Sequence, residues 1–270
     1  MGKHGKKVQA MGFILFIHGM GHDSNRQYWK VWAERLLPCL VEQGSNPANI
    51  QFGGIYYYDL VPEPGDGWKK ITPFFQREVR QEMKRDLWEH AVRGGDIRET
   101  LGRGPVDGFI NLVADNFGDI FSYLLNDQVY QQVNNRFYRA IEETPAPITL
   151  VAYSLGSMIS FCAQQQRPEL AAKISHFITL GSPIFWFRKW LNKRTQLSKP
   201  PGPALWTNLA VRIDVACPHL VGYSTCGPDV TIECELEKYN PVKGHLAYFS
   251  HPEALKELAR AVDARSFTVW

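Results

Sequence analysis

Cysteine is scarce in this chain and follows no pattern. The five cysteines are an odd number, and no two of them are separated by two residues, the spacing typical of zinc sites and redox-active disulfides. Free thiols in a reducing compartment are therefore expected, and no metal site is predicted.

Long apolar runs are also missing. No run approaches the roughly 18 residues that predict a membrane-spanning helix. The run Gly12–Ile17 follows basic residues, as the apolar part of a signal peptide does, but it is too short and no small-residue cleavage site follows it. The predicted location is the cytoplasm.

Neither sign of charge is in large excess. Lys and Arg number 30 against 27 Asp and Glu, which gives a net charge of +3. Binding of nucleic acid needs basic residues gathered on one face, and here they cluster only near the N-terminus and between Arg188 and Lys199. No nucleic-acid partner is predicted.

The composition is that of a folded protein, with 44% hydrophobic and 21% charged residues among 270, and a single domain over residues 1–270 is expected. Strand-like apolar runs alternate with helix-period segments, which predicts an α/β fold with a mostly parallel sheet flanked by helices. Strands are predicted at 12–18, 50–58, 148–153, 173–180, 206–213 and 230–236, and helices at 26–42, 68–92, 107–125, 127–143, 155–166 and 252–264.

The alternation is interrupted between residues 61 and 147 by a turn cluster, a Gly-rich break and several predicted helices. This helical insertion precedes the strand at 148–153. It either forms a cap over a binding cleft or simply flanks the sheet.

Ser154 is the candidate nucleophile. It lies between a predicted strand and a predicted helix, where a sharp turn that exposes a nucleophilic serine admits only small residues two positions before and after it. Ala152 and Gly156 meet that demand. The backbone N–H groups of Leu155 and of Met20, in the loop after the first strand, are the candidate oxyanion donors.

A serine hydroxyl needs a histidine to take its proton, and the histidine needs an acid to orient it. Asp214 and His245 follow Ser154 in the order that this kind of site requires. Asp229 is the alternative acid, and the alternative bases are His219 and His251. The residues expected to be structural are His4, His90, His176, Ser157 and Ser182.

These residues resemble the α/β-hydrolase superfamily, in particular its lipase- and esterase-like serine hydrolases, over nearly the whole chain. The resemblance is carried by Asp214, His245 and three segments: Phe16-Ile17-His18-Gly19-Met20-Gly21, Ala152-Tyr153-Ser154-Leu155-Gly156 and Leu180-Gly181-Ser182-Pro183. Ala152 departs from the commoner glycine, a substitution that some lipases share. The resemblance implies the α/β-hydrolase fold and ester-type acyl transfer with no metal or organic cofactor.

The predicted function is therefore cleavage of a small-molecule or lipid carboxylic ester through an acyl-serine intermediate. A thioesterase or amidase on the same three residues, or a noncatalytic ligand-binding protein of the same fold, is the alternative. The segment from Ile184 to Arg194 interleaves aromatic and basic residues. Either Phe185, Trp186 and Trp190 contact a membrane surface, or they pack on the core while the basic residues face water.

Overall fold

The computed structural model describes residues 12–21, 23–62, 118–211, 214, 216, 227–236 and 241–263, and six single positions between 73 and 85. Within them lies a parallel sheet with the strand order β2-β1-β3-β4-β5-β6. The strands are β1 (Gly12–Ile17), β2 (Ile50–Ile55), β3 (Ile148–Tyr153), β4 (Ile174–Leu180), β5 (Leu205–Val211) and β6 (Val230–Cys234).

The described helices follow most of these strands along the chain. They are α1 (Tyr28–Glu42), α2 (Gly118–Leu125), α3 (Asp127–Glu143), α4 (Leu155–Gln166), α5 (Pro168–Ala171), α6 (Ile184–Leu191), α7 (Pro241–Leu246) and α8 (Pro252–Val262), with short 3-10 turns at Pro47–Asn49 and Tyr58–Leu60. None of the helices in the described ranges is long and apolar enough to span a bilayer.

The sheet has a hydrophobic core on each face, because successive side chains of a strand point to opposite sides. Ile14 and Phe16 of β1 pack with α1 and α8, whereas Leu15 and Ile17 pack with α2, α3 and α4. The central strand β3 is buried on both faces. The predicted fold class is thus confirmed: a parallel sheet flanked by helices on both sides.

The predicted bounds of β3, α3 and α4 agree with the structure to the residue. The predicted strand 50–58 ends instead at Ile55, because the chain turns into the 3-10 helix Tyr58–Leu60. The loop predicted around His245 is wrong: His245 lies in α7, which begins at Pro241 and has only six residues, too few to show a helical period.

The predicted insertion is only partly within the described residues. Its last two helices, α2 and α3, bury their apolar faces in the core on one side of the sheet, and α3 contacts α4 and β2. The predicted helix 68–92 lies mostly outside the described residues. The six positions within it that the structure describes are helical. A cap formed by 61–147 remains a prediction.

Candidate active site

Ser154 occupies a strained turn at the carboxyl end of the central strand. Its φ is 52° and its ψ is −125°, a backbone conformation that residues other than glycine rarely adopt. It joins β3 to α4 and is 4% exposed. A Cβ added to Gly156 would lie 2.4 Å from the carbonyl oxygen of His18, so the turn tolerates no side chain there.

The loop after β1, residues 18–21, crosses directly over this turn. A Cβ on Gly19 would lie 2.8 Å from Ser154 Cβ and 3.3 Å from its Oγ. Met20 follows Gly19, and Leu155 follows Ser154 as the first residue of α4. The backbone amides of both predicted oxyanion donors therefore belong to segments that adjoin the serine.

Three predicted side chains from separate parts of the chain meet at this edge of the sheet. His245 Nε2 lies 3.2 Å from Ser154 Oγ. His245 Nδ1 lies 3.0 Å from Asp214 Oδ2 and 3.1 Å from Oδ1. A carboxylate accepts a hydrogen bond from an N–H at Nδ1, and this tautomer leaves the lone pair of Nε2 facing the serine hydroxyl.

The carboxylate of Asp214 is fully buried and has two further donors. Tyr248 Oη donates to Oδ2 over 2.7 Å, and the Ala216 amide donates to Oδ1 over 2.9 Å. Tyr248 Oη in turn accepts from the Val211 amide at 3.1 Å. These bonds replace the water that burial removes from the carboxylate.

The imidazole of His245 is held by the residue before the nucleophile. The Tyr153 ring stacks on it with centroids 5.1 Å apart, and Tyr153 Oη donates to the His245 carbonyl oxygen over 2.8 Å. Burial, together with the nearby Asp214 charge, raises the pKa of Tyr153, so its hydroxyl stays a donor at neutral pH.

Gly181 packs directly against Asp214 and His245. Its φ is +54°, and a Cβ there would lie 2.9 Å from both Asp214 Oδ2 and His245 Cε1. In the sequence, Gly181 stands out only within the segment Leu180-Gly181-Ser182-Pro183, and neither Tyr153 nor Tyr248 is predicted as a site residue. For Tyr153, adjacency to Ser154 was an available signal; for Tyr248, spacing alone offered none.

The alternative acid and bases lie elsewhere or outside the described residues. Asp229 precedes β6, at the opposite end of the parallel sheet, where it pairs with Lys199 and accepts from the Trp206 amide. His251 caps α8 by accepting from the Glu253 amide. Ser157 Oγ donates to the Ser182 hydroxyl. Three of the histidines named from the sequence, His4, His90 and His219, lie outside the described ranges.

His176 is buried on β4, hydrogen-bonded to Thr207 over 2.8 Å, and burial lowers its pKa to about 4. In the unfolded chain the imidazole of this residue takes up a proton near pH 6.5. The folded state therefore has its full stability above that pH and loses stability as the pH falls toward 4. We expect a loss of up to roughly 3 kcal/mol from this residue. Denaturant unfolding at pH 7.5 and 4.5 measures it.

His176→Asn removes the titrating group, and its free energy of unfolding should fall less between these two pH values than that of the wild type. All other titrating groups remain the same in the two proteins. Parallel losses in both would contradict the assignment of this pH dependence to His176.

Helix α6 forms the first eight residues of the aromatic and basic segment, Ile184–Leu191. Trp186 and Trp190 are 3% and 2% exposed, and the Arg188 guanidinium lies over the half-buried ring of Phe185. Two of the three aromatic rings predicted to contact a membrane thus pack in the core in this conformation. Membrane contact through these rings remains a prediction, and it requires α6 to move away from the core.

The described residues contain no group of three or more His, Cys, Asp or Glu arranged to hold a metal ion. What the fold and the site define is an α/β protein with a hydrogen-bonded serine, histidine and aspartate at the carboxyl edge of its sheet.

No family model matches the sequence, and no curated protein matches it. Among solved structures, the chain is similar to the crystal structure of PytH_H230A, with 12% identity, a TM-score of 0.39, and coverage of 96% of this chain and 99% of that chain. At that TM-score the similarity carries no argument about function.

Proposed function

We propose that this protein is a serine hydrolase that cleaves a carboxylic ester through an acyl-serine intermediate. The supporting observation is the continuous set of hydrogen bonds from Ser154 Oγ through both nitrogens of His245 to the carboxylate of Asp214. A structural serine has no need of a strained turn, a partly exposed imidazole and a buried carboxylate in this order.

In the proposed reaction, Ser154 Oγ attacks the ester carbonyl carbon while His245 Nε2 takes the hydroxyl proton. The Asp214 carboxylate stabilises the resulting imidazolium, and the Met20 and Leu155 amides donate to the oxyanion. His245 then gives its proton to the leaving alcohol as the carbon–oxygen bond breaks. Water, activated by the same imidazole, hydrolyses the acyl-serine.

A thioester or an amide would react through the same residues, and these remain alternatives, as does a noncatalytic binding protein. An amide makes the heaviest demand on the site, because its leaving nitrogen must receive the His245 proton as the bond breaks. A panel of matched ester, thioester and amide substrates with one acyl group would rank the three classes by kcat/KM.

Labelling with a fluorophosphonate probe, followed by peptide mapping, tests the mechanism without the natural substrate. We expect covalent label on Ser154, because only an activated serine attacks the phosphorus at a useful rate. Labelling should vanish in Ser154→Ala and in His245→Ala. Ser160→Ala, which alters another buried serine on α4, should label normally.

Two outcomes would count against the proposal. The first is a folded wild-type protein that takes up no label under conditions where a reference serine hydrolase is fully labelled, which would favour the noncatalytic alternative. The second is undiminished labelling of His245→Ala, which would remove His245 as the base.

A further inference from the structure

The loop that crosses the nucleophile, residues 18–21, is anchored by a tyrosine side chain. The loop begins where β1 ends, and the neighbouring strand β2 ends at Ile55, so the backbone groups of the loop lie beyond the sheet. Tyr57, two residues after β2, forms hydrogen bonds with them instead.

Tyr57 holds the first half of the loop. Its side chain is fully buried, and its hydroxyl lies 3.0 Å from the carbonyl oxygen of His18 and 2.8 Å from that of Gly19. A hydroxyl has one proton to donate, so the two carbonyl oxygens share it. The Tyr57 ring also stacks on the imidazole of His18, with centroids 4.6 Å apart and planes 13° from parallel.

Tyr58 lies beside the second half. Its hydroxyl donates to the carboxylate of Asp119 at the start of α2, and a backbone interaction with Gly21 partly offsets the rise in its pKa that burial causes. Gly21 has a φ of +118°, a conformation that only glycine adopts easily. Met20 thus lies between the Gly19 carbonyl, which Tyr57 holds, and this glycine turn.

The peptide bond converts these anchors into an orientation of the Met20 amide. The Gly19 carbonyl and the Met20 N–H belong to one planar trans peptide unit, in which the oxygen and the hydrogen point in opposite directions. Because the Tyr57 hydroxyl donates a hydrogen bond to the Gly19 carbonyl oxygen, the Met20 N–H of the same peptide unit points away from Tyr57. Gly19 itself lies against Ser154, which places this peptide unit beside the nucleophile.

We infer that Tyr57 is a positioning residue of the oxyanion site, whose hydroxyl, hydrogen-bonded to the Gly19 carbonyl, sets the direction of the Met20 N–H. Tyr57 acts through the loop backbone and does not touch the reacting atoms. The kinetic part of this inference rests on the proposed hydrolase function; the anchoring of the loop does not.

Tyr57→Phe tests the inference, because it removes one oxygen atom and keeps the ring that stacks on His18. With the peptide unit free to rotate, kcat for an activated ester should fall about 10- to 100-fold, less than the loss of the donor itself would cause. KM should change by less than about 2-fold, because the oxyanion donor acts mainly in the transition state.

The matched control is Tyr123→Phe. Tyr123 is equally buried, and its hydroxyl donates to Asn134 Oδ1 over 2.9 Å, remote from the loop in sequence. It should lower the melting temperature as Tyr57→Phe does, but leave kcat unchanged. Equal kcat values in the two variants would overturn the inference.

Hydrogen–deuterium exchange separates the inference from the proposed function. Peptides that cover residues 18–21 should exchange faster in Tyr57→Phe than in wild type or Tyr123→Phe, whether or not the protein hydrolyses esters. Unchanged exchange in a protein that labels at Ser154 would overturn the inference alone. Faster exchange in a protein that never labels would overturn the proposed function alone.

Should Tyr57→Phe fail to fold, exchange in the wild type provides the second test. Because Tyr57 holds two carbonyl groups of the loop, peptides that cover residues 18–21 should exchange more slowly than the exposed turn at 24–27. Exchange as fast as in that turn would contradict the anchoring of the loop.

Discussion

Replacing Ser154 with alanine is expected to lower kcat for ester hydrolysis by roughly 10³- to 10⁶-fold. The change removes the oxygen atom that forms the acyl intermediate. Hydrolysis of the bound substrate then requires direct attack by water. Ser154 is buried and small, so alanine fits the same space. Steady-state kinetics on an activated ester measure the loss.

Ser160→Ala is the control for this experiment, since Ser160 lies on α4, the helix that follows Ser154, and its hydroxyl has no hydrogen-bond partner among the described residues. Both variants should melt within a few degrees of the wild type. A Ser154→Ala variant that keeps the wild-type rate would exclude Ser154 as the nucleophile, and with it the acyl-serine mechanism.

Asp214→Asn is expected to lower kcat by up to about 10⁴-fold. The carboxylate accepts from His245 Nδ1, from Tyr248 Oη and from the Ala216 amide. An amide group in its place presents N–H donors toward some of these donors. The imidazole then places its proton on the nitrogen that faces Ser154, where it can no longer accept the hydroxyl proton.

Asp229→Asn distinguishes the two acids that the sequence left open. Asp229 forms its ion pair with Lys199 at the other end of the sheet, so its variant should retain nearly the wild-type rate. The pH dependence of kcat/KM should be recorded for both. A large loss in Asp229→Asn together with a small one in Asp214→Asn would reverse the assignment.

The sheet and its order of elements were predictable because burial on both faces leaves a plain trace in the sequence. A strand such as β3, covered on both sides, reads as a continuous apolar run, and a helix such as α3 shows its apolar stripe at helical spacing. Helix α7 was missed because six residues carry no such period, and its place depends on contacts with distant parts of the chain.

The candidate nucleophile was also accessible from local sequence. The turn around Ser154 is set by steric limits within five residues, so Ala152 and Gly156 identify it without knowledge of the rest of the fold. The acid and the base were less determined. Chain order favoured Asp214 and His245, but order alone could not exclude Asp229 or His251.

By itself, then, the sequence determined the α/β class, the turn at Ser154 and an ordered set of acids and bases, because each depends on local patterning or chain order. Only the tertiary structure decided which of those side chains meet Ser154, and that Tyr153, Tyr248 and Gly181 pack around them. It also decided that the Tyr57 hydroxyl forms hydrogen bonds with the loop that crosses the serine. Such contacts join residues tens of positions apart, and their partners are chosen by packing, which leaves no period or motif in the chain.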